Sequence, residues 1–156
     1  MAQDYDAELK QAGENSEIER VIELPLGKMT LKEERIRCPE MLFQPILNGK
    51  TCDGIHKYTH DSIIKCDPDI RKDLFKNIIL AGGSTMFKGM RDRMKKEIQA
   101  LAPSPMGPEV EATADRKYSC WLGGAILSLI DKFEPMWITK KEYEEYGKSI
   151  VNRKCF

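Results

Sequence analysis

The run IILAGGSTMFKG at 78–89 restricts the fold more than any other segment. NIILA at 77–81 is a continuous apolar stretch, the pattern of a strand buried on both faces. It leads directly into Gly82-Gly83-Ser84-Thr85. Met90, Met94, Ile98 and Leu101 then recur at helical spacing and predict an amphipathic helix over about 89–101. Pro103 and Pro105 end it. Two glycines after a strand let a ligand approach the backbone, because no Cβ stands in the way. Amide groups beside a helix N-terminus suit a phosphate or a ribose. The pattern is neither G-x-x-x-x-G-K-[ST] nor G-x-G-x-x-G. From spacing alone, a tight turn between two packed elements is the simpler account.

The rest of the chain alternates strands and helices, which points to an α/β fold. Residues 2–12 read as a short helix and AGENSEIE at 12–19 as a loop. VIEL at 21–24 and KMTL at 28–31 flank Pro25-Leu26-Gly27 and predict a hairpin. Pro39 fits the first turn of a helix. FQPILNGKTCDGI at 43–55 reads as a long irregular stretch, the kind that carries interactions. Short helices are expected around 59–66 and 68–75, with an edge strand in EVEAT at 109–113. Tyr118 to Ile130 reads as a buried helix in which Gly123-Gly124 permits close backbone approach, followed by an extended MWI at 136–138. Thr139 with Glu142 three residues on forms a capping box, Gly147 closes that helix, and SIVNRKCF adds a last helical turn or two.

Charge and cysteines exclude several classes. Lys plus Arg number 25 and Asp plus Glu 25, without the basic surplus of a nucleic-acid-binding domain. The cluster Arg91, Arg93, Lys95 and Lys96 reads as a solvated helix face. The five cysteines form no C-x-x-C pair and, being odd in number, no closed disulfide framework. Reduced thiols in a cytosolic or nuclear setting follow. His56 and His60 have no cysteine pair at zinc-ligand spacing, so no metal site is expected. No stretch approaches the ~20 apolar residues of a membrane span, and the polar, acidic start MAQDYDAELK does not resemble a signal peptide.

LAGGSTMFKGMRDRMKKEIQALAP closely resembles the C-terminal adenosine motif of actins. CPEMLFQP, GIHKYTHDSIIKCDPDIRKDLFKNIILAGG, RKYSCWLGGAILSLIDKF and MWITKKEYEEYGKSIVNRKCF resemble the flanking actin segments in order, covering roughly residues 20–156 and more faintly the first twenty. The resemblance implies the C-terminal portion of the actin-type (ribonuclease H-like, actin ATPase) two-lobed α/β fold, incomplete in this chain. By position, residues 1–50 resemble the tail of an outer small subdomain, 51–118 most of an inner one bearing the adenosine motif, and 119–156 the last part of the barbed-end subdomain. Gly82, Gly83, Met86 and Phe87 stand where actins line the adenine and ribose pocket, and Lys117 matches the lysine that lies along the adenine. Actins usually carry tyrosine where Phe87 stands. A lysine there covers a purine face with its stem and ammonium.

The resemblance also implies contact surfaces. The loop at 43–55, with Leu47 and Lys50, is similar to the actin loop between filament strands, but Asn48 and Lys50 replace hydrophobic residues at its tip. Burying an unpaired lysine at such a contact is costly. Asp67 and Asp69 match longitudinal subunit contacts, although Pro68 between them departs from the pattern. Leu127 and Ile130 match the apolar lining of the barbed-end cleft, where actin-binding proteins insert helices; core packing is the equal alternative. ATP or ADP with magnesium is the implied cofactor. The implied partners are other actin or actin-like subunits and actin-binding proteins, with neither nucleic acid nor membrane. The implied location is the cytoplasm and cytoskeleton, or the nucleus.

Whole actins are well over twice this length, and their phosphate loops and water-positioning residues lie upstream of the matched part. No D-x-G-x-G-like hairpin occurs in this sequence. Phosphoryl transfer needs metal-held phosphates and a positioned nucleophile, so no catalytic residue and no ATP hydrolysis by the chain alone are expected. Two functions remain open: an actin-like cytoskeletal protein segment, or a non-polymerising actin-like scaffold subunit of an axonemal or chromatin-associated complex.

Overall fold

A computed structural model describes residues 2–14, 19–103 and 105–155. The chain forms two compact units, Met1–Lys117 and Tyr118–Phe156.

In the first unit the order is helix α1 (Tyr5–Glu14), strands β1 (Arg20–Leu24) and β2 (Gly27–Leu31), then helices α2 (Glu34–Glu40), α3 (Ile55–Ile64) and α4 (Pro68–Lys76). Strand β3 (Ile78–Ile79), helix α5 (Met90–Leu101) and strand β4 (Val110–Glu111) follow. Strands β1 and β2 pair antiparallel about Pro25-Leu26, with Leu24 opposite Gly27. The expected hairpin is present, and its apolar Val21, Ile22, Leu24 and Met29 are all exposed. Strands β3 and β4 pair in parallel, Ile78 with Val110 and Ile79 with Glu111.

The core gathers Phe43, Ile63, Phe75, Ile78, Leu80, Met90, Met94, Ile98 and Val110. Helix α5 supplies its predicted stripe: Met90, Met94 and Ile98 are buried, and only Leu101 at its end stays exposed. Phe75 and Ile98 are fully enclosed. Truncating a phenylalanine at such a site costs about 3–5 kcal/mol through lost transfer energy and the cavity left behind. Helix α4 starts where the sequence dictates. The Asp67 carboxylate accepts the Asp69 amide at 3.0 Å, and Pro68 takes the first helical position, where its missing N–H costs nothing.

An ion pair lies inside this core. The Arg93 guanidinium donates to both Glu40 oxygens at 2.8 and 2.7 Å, to the Ala2 carbonyl at 2.7 Å and to Glu97 at 2.6 Å. It also lies 4.9 Å from the Phe43 ring centre. Burial opposes the charge, but the hydrogen bonds that Arg93 donates to Glu40 and Glu97 outweigh it and raise the Arg93 pKa above its ordinary value. Arg93 therefore belongs to the core and not to the solvated basic face expected from sequence.

Several sequence expectations are corrected. The 77–81 stretch is not buried on both faces: Ile78 and Leu80 point inward, while Ile79 is 68% exposed. The core packs against the face that carries Ile78 and Leu80, and β4 pairs along one edge of the strand. Pro39 is the sixth residue of α2 rather than in its first turn, which suits it to ending the helix because it donates no amide. The 43–55 stretch contains a 3-10 turn, Pro45–Asn48, closed by Gly49 in the left-handed region at φ 66°. Helix α3 begins at Ile55, four residues early, because Gly54 supplies an extended N-cap. Helix α1 runs to Glu14, so the 12–19 loop begins later than expected, and residues 15–18 of it lie outside the described residues.

The second unit contains α6 (Ser119–Ser128), a 3-10 segment Asp131–Met136, α7 (Lys140–Tyr146), a 3-10 turn Gly147–Ile150 and α8 (Val151–Lys154). Thr139 and Glu142 form the expected capping box, and Gly147 stops α7 with φ 60°. Extended backbone in the 136–138 segment is confined to its later part, since the 3-10 segment includes Met136. Helix α6 is not buried. None of its residues is enclosed, and Trp121 at 74% and Leu129 just beyond it at 83% are exposed. No atom comes within 4 Å of the Cβ positions of Gly123 and Gly124, so these glycines serve no close approach among the described residues.

Candidate functional site

The glycine turn after β3 is built by local chemistry. Gly82 has φ 91°, which a side chain at that position would resist. Its carbonyl accepts the Thr85 hydroxyl at 2.7 Å and the Thr85 amide at 3.1 Å. The Met86 amide donates to the Gly83 carbonyl at 3.1 Å. These bonds close the 3-10 turn Gly83–Thr85. Helix α5 begins only at Met90, after a second left-handed glycine, Gly89 at φ 80°. The glycines therefore open a 3-10 turn and not the N-terminus of α5, which agrees with the tight turn that spacing alone favoured.

The Gly82 amide is also committed. It donates to the Arg116 carbonyl at 2.8 Å, so it holds the turn to the segment after β4. Lys117 is the next residue along. This bond joins residues 34 positions apart, Gly82 and Arg116, and so brings the chain at Lys117 beside the glycine turn.

What stays open is the face of the turn. Among the described residues, no atom beyond their chain neighbours lies within 4 Å of the Cβ positions of Gly82 or Gly83. Gly83, Ser84, Met86 and Phe87 line a shallow depression of about 410 Å³. Met86 is 40% and Phe87 42% exposed. A thioether, an aromatic ring and bare backbone make a surface suited to a flat, partly apolar group such as a base or a sugar face. None of Gly83, Ser84, Met86 and Phe87 carries a charged side chain.

A sequence model of the actin family matches residues 2–156. The chain belongs to the actin family. Its mixed helix and strand content agrees with an α/β actin-type fold. Actins as a family bind ATP or ADP with magnesium. The open backbone over Gly82 and Gly83 fits the adenosine part of such a nucleotide. Among the described residues, no three of His, Cys, Asp or Glu come together as a metal-holding group.

Of the remaining sequence-derived residues of this actin-family chain, Leu47, Lys50, Asp67 and Asp69 belong to the first unit and Leu127 and Ile130 to the second. Leu47 is exposed within the 3-10 turn Pro45–Asn48 and lines a depression with Tyr5, Arg37, Cys38 and Met41. Lys50 is exposed along another, with Phe43, Asp53 and His56. Asp67 and Asp69 are exposed at the start of α4, and the Pro68 between them is explained by its helix position. Leu127 and Ile130 are exposed at the end of α6 and not in a core. Arg116 was not singled out by sequence. An Arg-Lys pair before a helix carries no pattern of its own, and its role depends on a contact with Thr85, 31 residues away.

Proposed function

We propose that this chain is an actin-like cytoskeletal protein segment that contributes the adenosine side of an ATP site, together with filament and partner contact surfaces. It corresponds to the C-terminal portion of the two-lobed fold, with residues 1–50, 51–118 and 119–156 as its successive subdomain parts. The observation that supports this is the uncovered glycine turn, flanked by Met86 and Phe87 and bonded to the residue preceding Lys117. Adenine packs on that face, with Lys117 along its edge. The phosphate and magnesium groups are held by chain outside this segment, so turnover belongs to the whole protein. Leu127, Ile130, Asp67, Asp69, Leu47 and Lys50 are the partner-facing residues, in a cytoplasmic or nuclear setting.

Calorimetry with magnesium-ATP, on the chain and on its Gly83→Ala variant, tests the reading. Gly83 has ordinary φ and open space above it, so the variant should melt like the parent. The new methyl stands where the ligand approaches and should weaken binding about tenfold or more. Equal binding by both proteins would refute the site.

A second reading, a non-polymerising actin-like scaffold subunit, is favoured by one observation. Asn48 and Lys50 at the loop tip are polar and exposed. Co-sedimentation decides between the two: filaments pelleting with ATP and magnesium would sink the scaffold.

A further inference from the structure

The geometry points to Arg116 as the positioning residue of the adenosine turn, an inference that rests on the nucleotide reading above. Its guanidinium donates from Nη2 to the Thr85 carbonyl at 2.9 Å and from Nε to the same oxygen at 3.3 Å. Nη1 donates to the Thr113 carbonyl at 2.8 Å. Its own carbonyl accepts the Gly82 amide at 2.8 Å. One half-buried residue thus grips both ends of the Gly82–Thr85 turn, by main chain at one end and side chain at the other.

The consequence is geometric. The open face of Gly82 and Gly83 and the Lys117 backbone form one site only while the 113–117 segment stays docked on the turn. Upstream, the Leu80 amide donates to the Glu111 carbonyl at 2.9 Å and ties β3 to β4, but these main-chain bonds hold the Gly82 end of the turn and not its Thr85 end. Two donors onto Thr85 and one onto Thr113 fix the Thr85 end, because the planar guanidinium has a fixed fork. Charge-assisted bonds to carbonyls are stronger than neutral ones. The side chain acts on the turn's backbone and not on the ligand, so it fixes the spacing between the two walls of the adenosine pocket.

Arg116→Gln and Arg116→Lys separate this role from a general structural one. Three readouts are needed: the thermal melt, amide exchange at Gly82, Thr85 and Met86, and binding of ethenoadenosine triphosphate with magnesium. In Arg116→Gln, Gly82 exchange should quicken at least about tenfold while core amides of α5 and the melt stay unchanged. Ethenoadenosine triphosphate affinity should fall about tenfold, or ~1.4 kcal/mol. Arg116→Lys, able to reach one carbonyl but not both, should fall between.

Unchanged Gly82 exchange in Arg116→Gln overturns the proposal whatever the nucleotide does. If affinity falls without a change in exchange, the side chain touches the ligand directly and the positioning role is refuted. If exchange quickens but the unmutated chain binds no nucleotide, the turn lock stands and the adenosine reading alone is lost. Should Arg116→Gln fail to fold, the same comparisons are read on Arg116→Lys.

Discussion

Replacing Glu40 by alanine isolates the largest electrostatic commitment in the first unit. Glu40 is fully buried and accepts two hydrogen bonds from Arg93 and one from Gln44 at 3.0 Å. Without it the Arg93 cation stays enclosed, with the Ala2 carbonyl and Glu97 as its remaining acceptors. Removing one member of a buried pair costs about 3–5 kcal/mol, because the partner charge is left uncompensated. Glu97 is partly exposed and keeps its bond, so the lower end, about 3 kcal/mol, is expected. For a unit of this size that loss lowers the melting temperature by roughly 10 °C. The double change Glu40→Leu with Arg93→Met should cost clearly less, since no charge is left inside. The probe must be chosen with care. Both tryptophans, Trp121 and Trp137, lie in the second unit and do not report on this pair. Urea unfolding followed by far-ultraviolet circular dichroism, with amide exchange along α5, reads the correct unit. A loss under about 1 kcal/mol for Glu40→Ala, or a double variant as damaged as the single, would refute the reasoning.

The Lys154 ammonium, helped by the Thr139 amide and hydroxyl, holds the Glu142 carboxyl down to about 2. The folded value lies below the ordinary one of about 4.3, so the contribution is complete above that pH and disappears as pH falls toward 2. Carbon-13 titration of Glu142 should find this low value and Lys154→Met should raise it; an ordinary value in the parent would contradict the contact. His56 shifts downward because burial disfavours its cation. Its ring stacks on Phe43 at 5.5 Å, and its buried Nδ1 has no hydrogen-bond partner among the described residues. The charges facing it are Glu97, Arg93, Asp53 and Glu40. Stability should therefore be full above about pH 6.5 and decline as pH falls from there toward the depressed folded value. His56→Phe, which keeps a ring on Phe43, should flatten that dependence in urea titrations; an unaltered pH profile would exclude His56 as its source.

Local chemistry was legible residue by residue. Thr139 with Glu142, Gly147, Pro25-Leu26-Gly27 and the Met90–Met94–Ile98 stripe each encode their element within a few positions, and each element is present. Long matched segments likewise carried the family. The candidate site was legible in part. Gly82, Gly83, Met86 and Phe87 fall within six positions of one another, and Gly83, Met86 and Phe87 line one depression. The bond that brings Lys117 to them runs through Arg116, which has no signature of its own. Apolar content misled in α6. Trp121, Leu122, Ile126 and Leu127 promise burial, yet composition states only that a surface wants covering and not what covers it.

By itself, then, the sequence determined where turns, caps and amphipathic faces fall, because those depend on residues within about one helical turn of each other. Tertiary structure alone decided that Arg93 is a core residue and not a surface one, since its partners Glu40 and Ala2 are 53 and 91 positions away. It also decided that the Gly82 amide is spent on Arg116 while the face of the turn stays open. Whether a charge or an amide meets a partner or solvent is fixed by which distant segments pack together, and no local pattern records that.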